Sequence, residues 1–255
     1  MSDELPIIWS YGGGTQSVAI AVLVARGELP RPERVVIADT GREAQETWDY
    51  TRDVVNPLLE PVGLEVEIAS HDYATVDLYA LNGDLLIPAF TGESGALPGF
   101  CSNEWKKRVI SRWAKDQGYG KKNPARMWLG ISVDEVHRAK PSGIPWLHYH
   151  WPLLLDVPRR RDECINLVQL SGLPTPPRSA CWMCPYRSNE EWRHIRDNYP
   201  EEWQKAIELE KEIQDKDERD GRLFLHKSRA SLQDAVLDHD NLDLFDGCDS
   251  GFCMV

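Results

Sequence analysis

Residues 6–26 read PIIWSYGGGTQSVAIAVLVAR, and this stretch decides the fold. Residues 6–10 form a short apolar run that predicts a buried strand. Residues 17–26 are apolar on every face and predict a buried helix, closed by Gly27. Between them lies a turn with three successive glycines, Gly12, Gly13 and Gly14, flanked by Ser10, Thr15, Gln16 and Ser17. Glycines let backbone N–H groups converge on an anion, and the following helix offers the positive end of its dipole. Thr15 and Ser17 can add hydroxyl donors. The same letters also suit a tight turn with Ser17 as a helix N-cap. The turn lacks the Lys-Ser/Thr pair of a Walker A loop and the glycine spacing of the dinucleotide fingerprint.

Working outward, residues 34–38 (RVVIA) predict a second buried strand, ending at Asp39-Thr40-Gly41. Residues 44–59 predict a helix, 64–69 a third strand, 106–117 a helix, 127–131 a fourth strand and 162–170 a helix. Strands alternating with helices imply βαβ units: an α/β protein with a Rossmann-like parallel sheet flanked by helices. Ligands of such sheets sit beyond the carboxyl ends of the strands. After residue 185 the composition shifts, and residues 190–220, rich in Trp, Glu, Lys and Arg, predict one or two amphipathic helices. The expected organisation is a nucleotide-binding α/β domain over 1–187, then a helical extension and cysteine-containing tail over 188–255.

The bulk properties narrow the function. At 255 residues and 42% hydrophobic content the chain suits a medium globular domain. A net charge of −12 argues against wholesale coating of nucleic acid, which needs a basic surface, although a local basic site is compatible with it. The N-terminal MSDELPIIWS has no basic n-region and no long apolar stretch, and no run of about 18 apolar residues predicts a membrane span. A cytoplasmic location follows as the expectation, so the six cysteines read as thiols or ligands rather than a disulfide framework.

Cys181-Trp182-Met183-Cys184-Pro185 is a knuckle whose two thiolates, at i and i+3, can grip one metal or cluster. Cys101 lies eighty positions earlier, and Cys248 and Cys253 stand near the C-terminus. Cys164, within a helical stretch, reads as a small packed residue. Tetrahedral zinc, a [4Fe–4S] cluster and a catalytic disulfide all remain open on these letters.

Taken together, these motifs resemble the phosphoadenylyl-sulfate reductase family, over residues 8 to about 187. The glycine turn resembles the PP-loop SGGxDS shared with N-type ATP pyrophosphatases, with Gly12 at the first Ser place and Gln16 at the Asp place. Gln there is closer to the sulfate-reductase branch than to the ATP-cleaving one. Asp39-Thr40-Gly41 followed by Glu46-Thr47 resembles the family's DTG…ET segment, which implies a ribose- or metal-binding role for Asp39. Residues 130–138 (GISVDEVHR) are similar to its GxRxDxSxxR segment, with Ser132 replacing the first Arg. This implies that Gly130 and Arg138 lie at the nucleotide, Arg138 as a forked anion ligand. His150-Trp151-Pro152-Leu153, Asp156-Val157 and Gly172-Leu173-Pro174 continue the likeness.

A cysteine pair followed after about eighty residues by CxxC is the pattern of the iron–sulfur adenylyl-sulfate reductases. Here the resemblance implies a [4Fe–4S] cluster on Cys101, Cys181 and Cys184; a tail cysteine would replace the second cysteine of the pair, Cys248 rather than Cys253 because it lies nearer the body of the domain, and zinc is the alternative metal. The tail GCDSGFCMV stands where those reductases carry a terminal cysteine motif, which implies Cys253 as a mobile nucleophile. Lys106 or Lys107 loosely matches the basic position that meets the substrate anion, although Lys106, Lys107, Arg108 and Arg112 also suit a solvated basic helix face. The implied activity is reduction of a sulfonucleotide, adenylyl sulfate (APS) or phosphoadenylyl sulfate (PAPS), with a thiol or electron-donor protein as partner. The alternative is an ATP-dependent sulfurtransferase acting on nucleic acid, as in DNA phosphorothioation or tRNA thiolation; the missing loop Asp and the acidic balance weigh against it. A third reading is a metal-stapled nucleotide-binding regulator without catalysis.

Overall fold

In the computed structural model, which describes residues 5–93, 95–217 and 222–238, the run that precedes the glycines forms the middle of a sheet. The strands are β1 (Ile7–Ser10), β2 (Arg34–Ala38), β3 (Val66–Ala69), β4 (Phe90–Thr91), β5 (Ala125–Leu129), β6 (Leu147–His150) and β7 (Leu223–Phe224). The α-helices are α1 (Thr15–Ala25), α2 (Gln45–Tyr50), α3 (Asn56–Leu59), α4 (Val109–Asp116), α5 (Pro152–Leu155), α6 (Arg161–Leu170), α7 (Asn189–Asn198) and α8 (Pro200–Lys216). Five strands pair in parallel in the order β3-β2-β1-β5-β6, which is the expected α/β fold.

Adjacent residues of each strand serve opposite layers. Trp9, Val35 and Ile37 pack with α1, α3 and α6 on one face. Ile8, Val36 and Ala38 pack with Val109, Ile110 and Trp113 of α4 on the other. A parallel sheet covered on both faces explains why these strands read as unbroken apolar runs. Helix α1 is buried along nearly its whole length, from Thr15 to Val24, so it shows no polar face. Strands succeed one another outward from β1 on both sides, so the loops after β1 and β5 diverge from a topological switch point.

Two differences from the expected elements are local. The sheet has a fifth strand, β6, whose letters LHYH gave no apolar run because it is a partly exposed edge. The helix expected over 106–117 is α4, entered by a wider helical turn over Ser102–Arg108. No helix among the described residues is long and apolar enough to cross a membrane.

The chain divides into two compact units. One comprises residues 5–74 and 105–179 and holds the parallel sheet; the other joins residues 75–104 to those after 179. In the second unit β4 pairs antiparallel with β7, Phe90 opposite Phe224. Trp192 of α7 meets Trp203 of α8 edge to face at 6.0 Å. Buried Glu210 accepts the N–H groups of Leu225 at 2.8 Å and Leu232 at 2.6 Å. The expected boundary at residue 187 therefore falls inside this unit. Composition marked the start of the helices, whereas the unit also recruits a distant segment through β4.

The second unit also buries His226 completely, between the Ser228 hydroxyl on Nδ1 (2.7 Å) and Asn189 Oδ1 on Nε2 (3.0 Å). Burial pulls its pKa from 6.5 down to about 4. The folded state thus holds a neutral imidazole. Its contribution to stability is complete above pH 6.5 and is lost as pH falls toward 4. In denaturant unfolding, the stability gap between the natural protein and His226→Gln should narrow by about 3 kcal/mol between pH 7 and pH 4. A gap that stays constant with pH would refute the neutral, buried imidazole.

Candidate functional site

The glycine turn is built by its neighbours. Gly14 is the N-cap of α1 and Thr15 its first residue, so Ser17 lies inside the helix rather than capping it. Its hydroxyl reaches back to accept the N–H of Gly12 at 2.9 Å, tying the turn to the helix end. Gly13 has φ +78°, and a Cβ there would stand 2.5 Å from the Thr47 methyl. The Ser179 hydroxyl donates to the Gly12 carbonyl, and its Cβ lies 3.5 Å from the Cβ position of Gly14. Thr47 and Ser179 thus wall the turn, and at Gly13 only glycine fits.

At the end of β2, Asp39 accepts the N–H of Gly41 at 2.7 Å, and buried Thr40 accepts that of Arg42 at 3.2 Å. Asp39 closes its own turn and does not cap α2, whose N-cap is Ala44. Gly41 has φ +69°, and a side chain there would press on the His71 ring at 3.1 Å. Just beyond lies Glu43, which the sequence reading passed over. Its side chain is 1% exposed, 3.4 Å from the Ser179 hydroxyl and 3.8 Å from Lys106 Nζ. Lys106 is therefore held near the glycine turn through Glu43. The one sequence cue was an acidic residue two places after the turn.

The loop after β5 meets the same helix end. Gly130 approaches α1 so closely that a Cβ would stand 3.2 Å from Ser17 Oγ. Gln16 donates to Glu135 Oε2 at 3.0 Å and to Ser132 Oγ at 3.3 Å, while Arg138 donates to Glu135 Oε1 at 2.5 Å. Ser10, the glycine turn, Thr15, Gln16, Ser17, Gly130 and Arg138 thus belong to one neighbourhood, as their order in the motifs implied. Glu135 is the residue the sequence reading missed. It places a carboxylate beside Gln16, where the turn itself carries none.

The thiols are divided between the units. Cys164, in the first, is fully buried, and burial pushes its thiol up to about 12, as befits a packed residue. Cys101, Cys181 and Cys184 all belong to the second unit and are partly exposed. The Cys184 N–H donates to the Cys181 carbonyl at 3.0 Å, folding the knuckle into one turn. Cys248 and Cys253 lie outside the described residues. Among the described residues no three His, Cys, Asp or Glu side chains are grouped to hold a metal ion. In kind, three soft thiol donors drawn from two distant segments into one unit suit a thiolate-ligated centre.

No family model matches the chain, and no curated protein matches it. Among solved structures it is similar to the U34-tRNA thiolase NcsA from Methanococcus maripaludis with its [4Fe–4S] cluster. Identity is 17% and the TM-score 0.47, over 80% of this chain and 70% of that one. A likeness of that degree carries no functional argument, and the site stands on its own residues.

Two substitutions check the glycine turn. Gly13→Ala should cost about 1–3 kcal/mol of stability in denaturant unfolding, from a left-handed backbone and the clash with Thr47. It should also abolish ATP binding in calorimetry. Arg138→Ala should keep the fold and weaken ATP binding by about 1.5–3 kcal/mol. Unchanged affinity in both variants would remove the turn from the site.

Proposed function

We propose that this protein binds an adenine nucleotide at the glycine turn and uses it for sulfur chemistry at a cysteine centre, with ATP-activated sulfur transfer as the favoured reaction. The observation that carries the choice is Glu135, 3.0 Å from Gln16. On the letters alone, the lack of an acidic residue in the turn weighed against ATP cleavage. The β5 loop supplies one. Backbone N–H groups at the start of α1 and the Arg138 guanidinium suit phosphate oxygens. Glu135 suits the divalent cation that accompanies ATP, since Mg²⁺ is commonly held by one or two carboxylates plus the phosphates. Asp39, at the carboxyl end of β2, would meet ribose hydroxyls.

In this reading an acceptor oxygen attacks the α-phosphate of ATP and pyrophosphate leaves. Sulfur then replaces the adenylated oxygen and AMP departs. Cys101, Cys181 and Cys184, with Cys248 as fourth ligand, would hold a [4Fe–4S] cluster, which would supply or carry the sulfur; the same thiols would otherwise hold zinc. Reduced thiols suit the cytoplasm. The acceptor is a nucleic acid or a small molecule, and the net charge of −12 favours recognition at a confined basic site.

Lys106 supports a second reading. Held near the turn by Glu43, it is a cation suited to a sulfate group. There the Cys253 thiolate would attack the sulfur of APS or PAPS, and an external thiol would release sulfite. Iron-loaded protein, kept anaerobic, separates the two. With ATP, sulfide and bulk tRNA as the oxygen acceptor, sulfur transfer releases pyrophosphate and AMP; with APS or PAPS and dithiothreitol, reduction releases sulfite along with AMP or its 3′-phosphate. We expect the first, and neither product would leave a nucleotide-binding regulator. Glu135→Gln should bind ATP yet release pyrophosphate at least about tenfold more slowly. Cys181→Ala should lose the iron that Cys164→Ala retains.

A further inference from the structure

The second unit buries a cation against the knuckle. Arg187 is 2% exposed. Its Nε and Nη2 both donate to the Cys181 carbonyl, at 3.2 and 3.1 Å, and Nη2 also donates to the Ala180 carbonyl at 3.1 Å. Its backbone N–H donates to the Cys184 carbonyl at 3.2 Å. The side chain therefore grips one cysteine of the knuckle and the main chain the other. Among the described residues no Asp or Glu forms an ion pair with it.

Carbonyl dipoles satisfy the hydrogen bonds of a guanidinium but leave its net charge uncompensated, and a buried charge without a counter-charge is expensive. Ala180, Met183 and Pro185 are buried around the knuckle, so the local dielectric is low and charges there interact strongly. The groups of the knuckle able to carry negative charge are the two thiols. Metal or cluster ligation makes them thiolates.

We infer that Arg187 supplies the counter-charge of an anionic thiolate centre at Cys181 and Cys184, besides fixing the turn that presents them. This rests on the reading that these cysteines ligate a metal centre. Arg187 is a positioning and charge-balancing residue, one that stabilises the more negative, reduced form of the centre. Removing its charge should make reduction harder, while a lysine, which keeps the charge but not the fork, should restore most of the potential.

The test uses full-length protein reconstituted with iron and sulfide under argon. Iron content, circular dichroism and a redox titration followed by visible absorption and electron paramagnetic resonance are measured for the natural protein, Arg187→Met and Arg187→Lys. The expected result is natural secondary structure in all three. Arg187→Met should retain less than about half of the iron, with its remaining centre at a more negative potential. Arg187→Lys should return the potential most of the way. A natural potential in Arg187→Met, or a potential in Arg187→Lys as low as in Arg187→Met, would overturn the inference and leave the cysteine centre standing. So would loss of all iron from both variants, because the charge alone would then not sustain the centre. Failure of the natural protein to take up iron overturns the centre and this inference with it.

Discussion

The parallel pairing of β1 with β5 is the constraint on which the candidate site depends. Trp9 lies opposite Trp128 and Ser10 opposite Leu129, at the line where strand order turns outward in both directions. Each strand end releases a loop there, and neither loop is drawn across the other. The loop from β1 enters α1 at once, and the loop from β5 must pass beside that helix. A Cβ there would crowd Ser17 at 3.2 Å, so the close approach favours Gly130. Once Gly130 lies against Ser17, the side chains five and eight residues further on fall around Gln16. The cluster of Gln16, Ser132, Glu135 and Arg138 is thus a product of sheet topology more than of any one motif.

Its electrostatics have a consequence for the ligand. Two carboxylates with little exposure, Glu43 and Glu135, surround a turn shaped for an anion, and each is met by a cation, Lys106 or Arg138. The neighbourhood is close to neutral before anything binds. A polyphosphate arriving with its own cation preserves that balance, whereas a bare polyanion must separate Arg138 from Glu135 to use it. Such a site selects by charge pairing as well as by shape.

Much of the first unit was legible in the letters. Unbroken apolar runs betrayed strands covered on both faces, and the glycine turn between strand and helix marked the candidate site. Glu135 was not legible as a site residue, because its meaning comes from β5 lying next to β1, a pairing across more than a hundred residues. Ser17 looked like a cap because its hydroxyl type suits one, yet a hydroxyl five residues beyond Gly12 can serve the loop instead. β6 was hidden by its polar, half-exposed edge. The second unit was the least legible part. β4 is two residues long, and nothing within residues 75–104 announces a partner beyond residue 220. Cys101 could be joined to Cys181 only by resemblance; the two fall in one unit.

The second unit's composition also sets a schedule for biosynthesis. β4 emerges from the ribosome long before β7, and at a few to about twenty residues per second the strand waits several seconds or more for its mate. The sheet of the first unit needs nothing beyond residue 179, so it can close while the chain is still growing. The segments that carry Cys101 and the knuckle join in one unit only later, once the residues after 179 have been made. The second unit is therefore completed as a late step, on a chain whose first unit can already have folded. During that interval Cys101 is a nascent thiol without its companions, and how long it stays so is governed by translation rather than by affinity for iron.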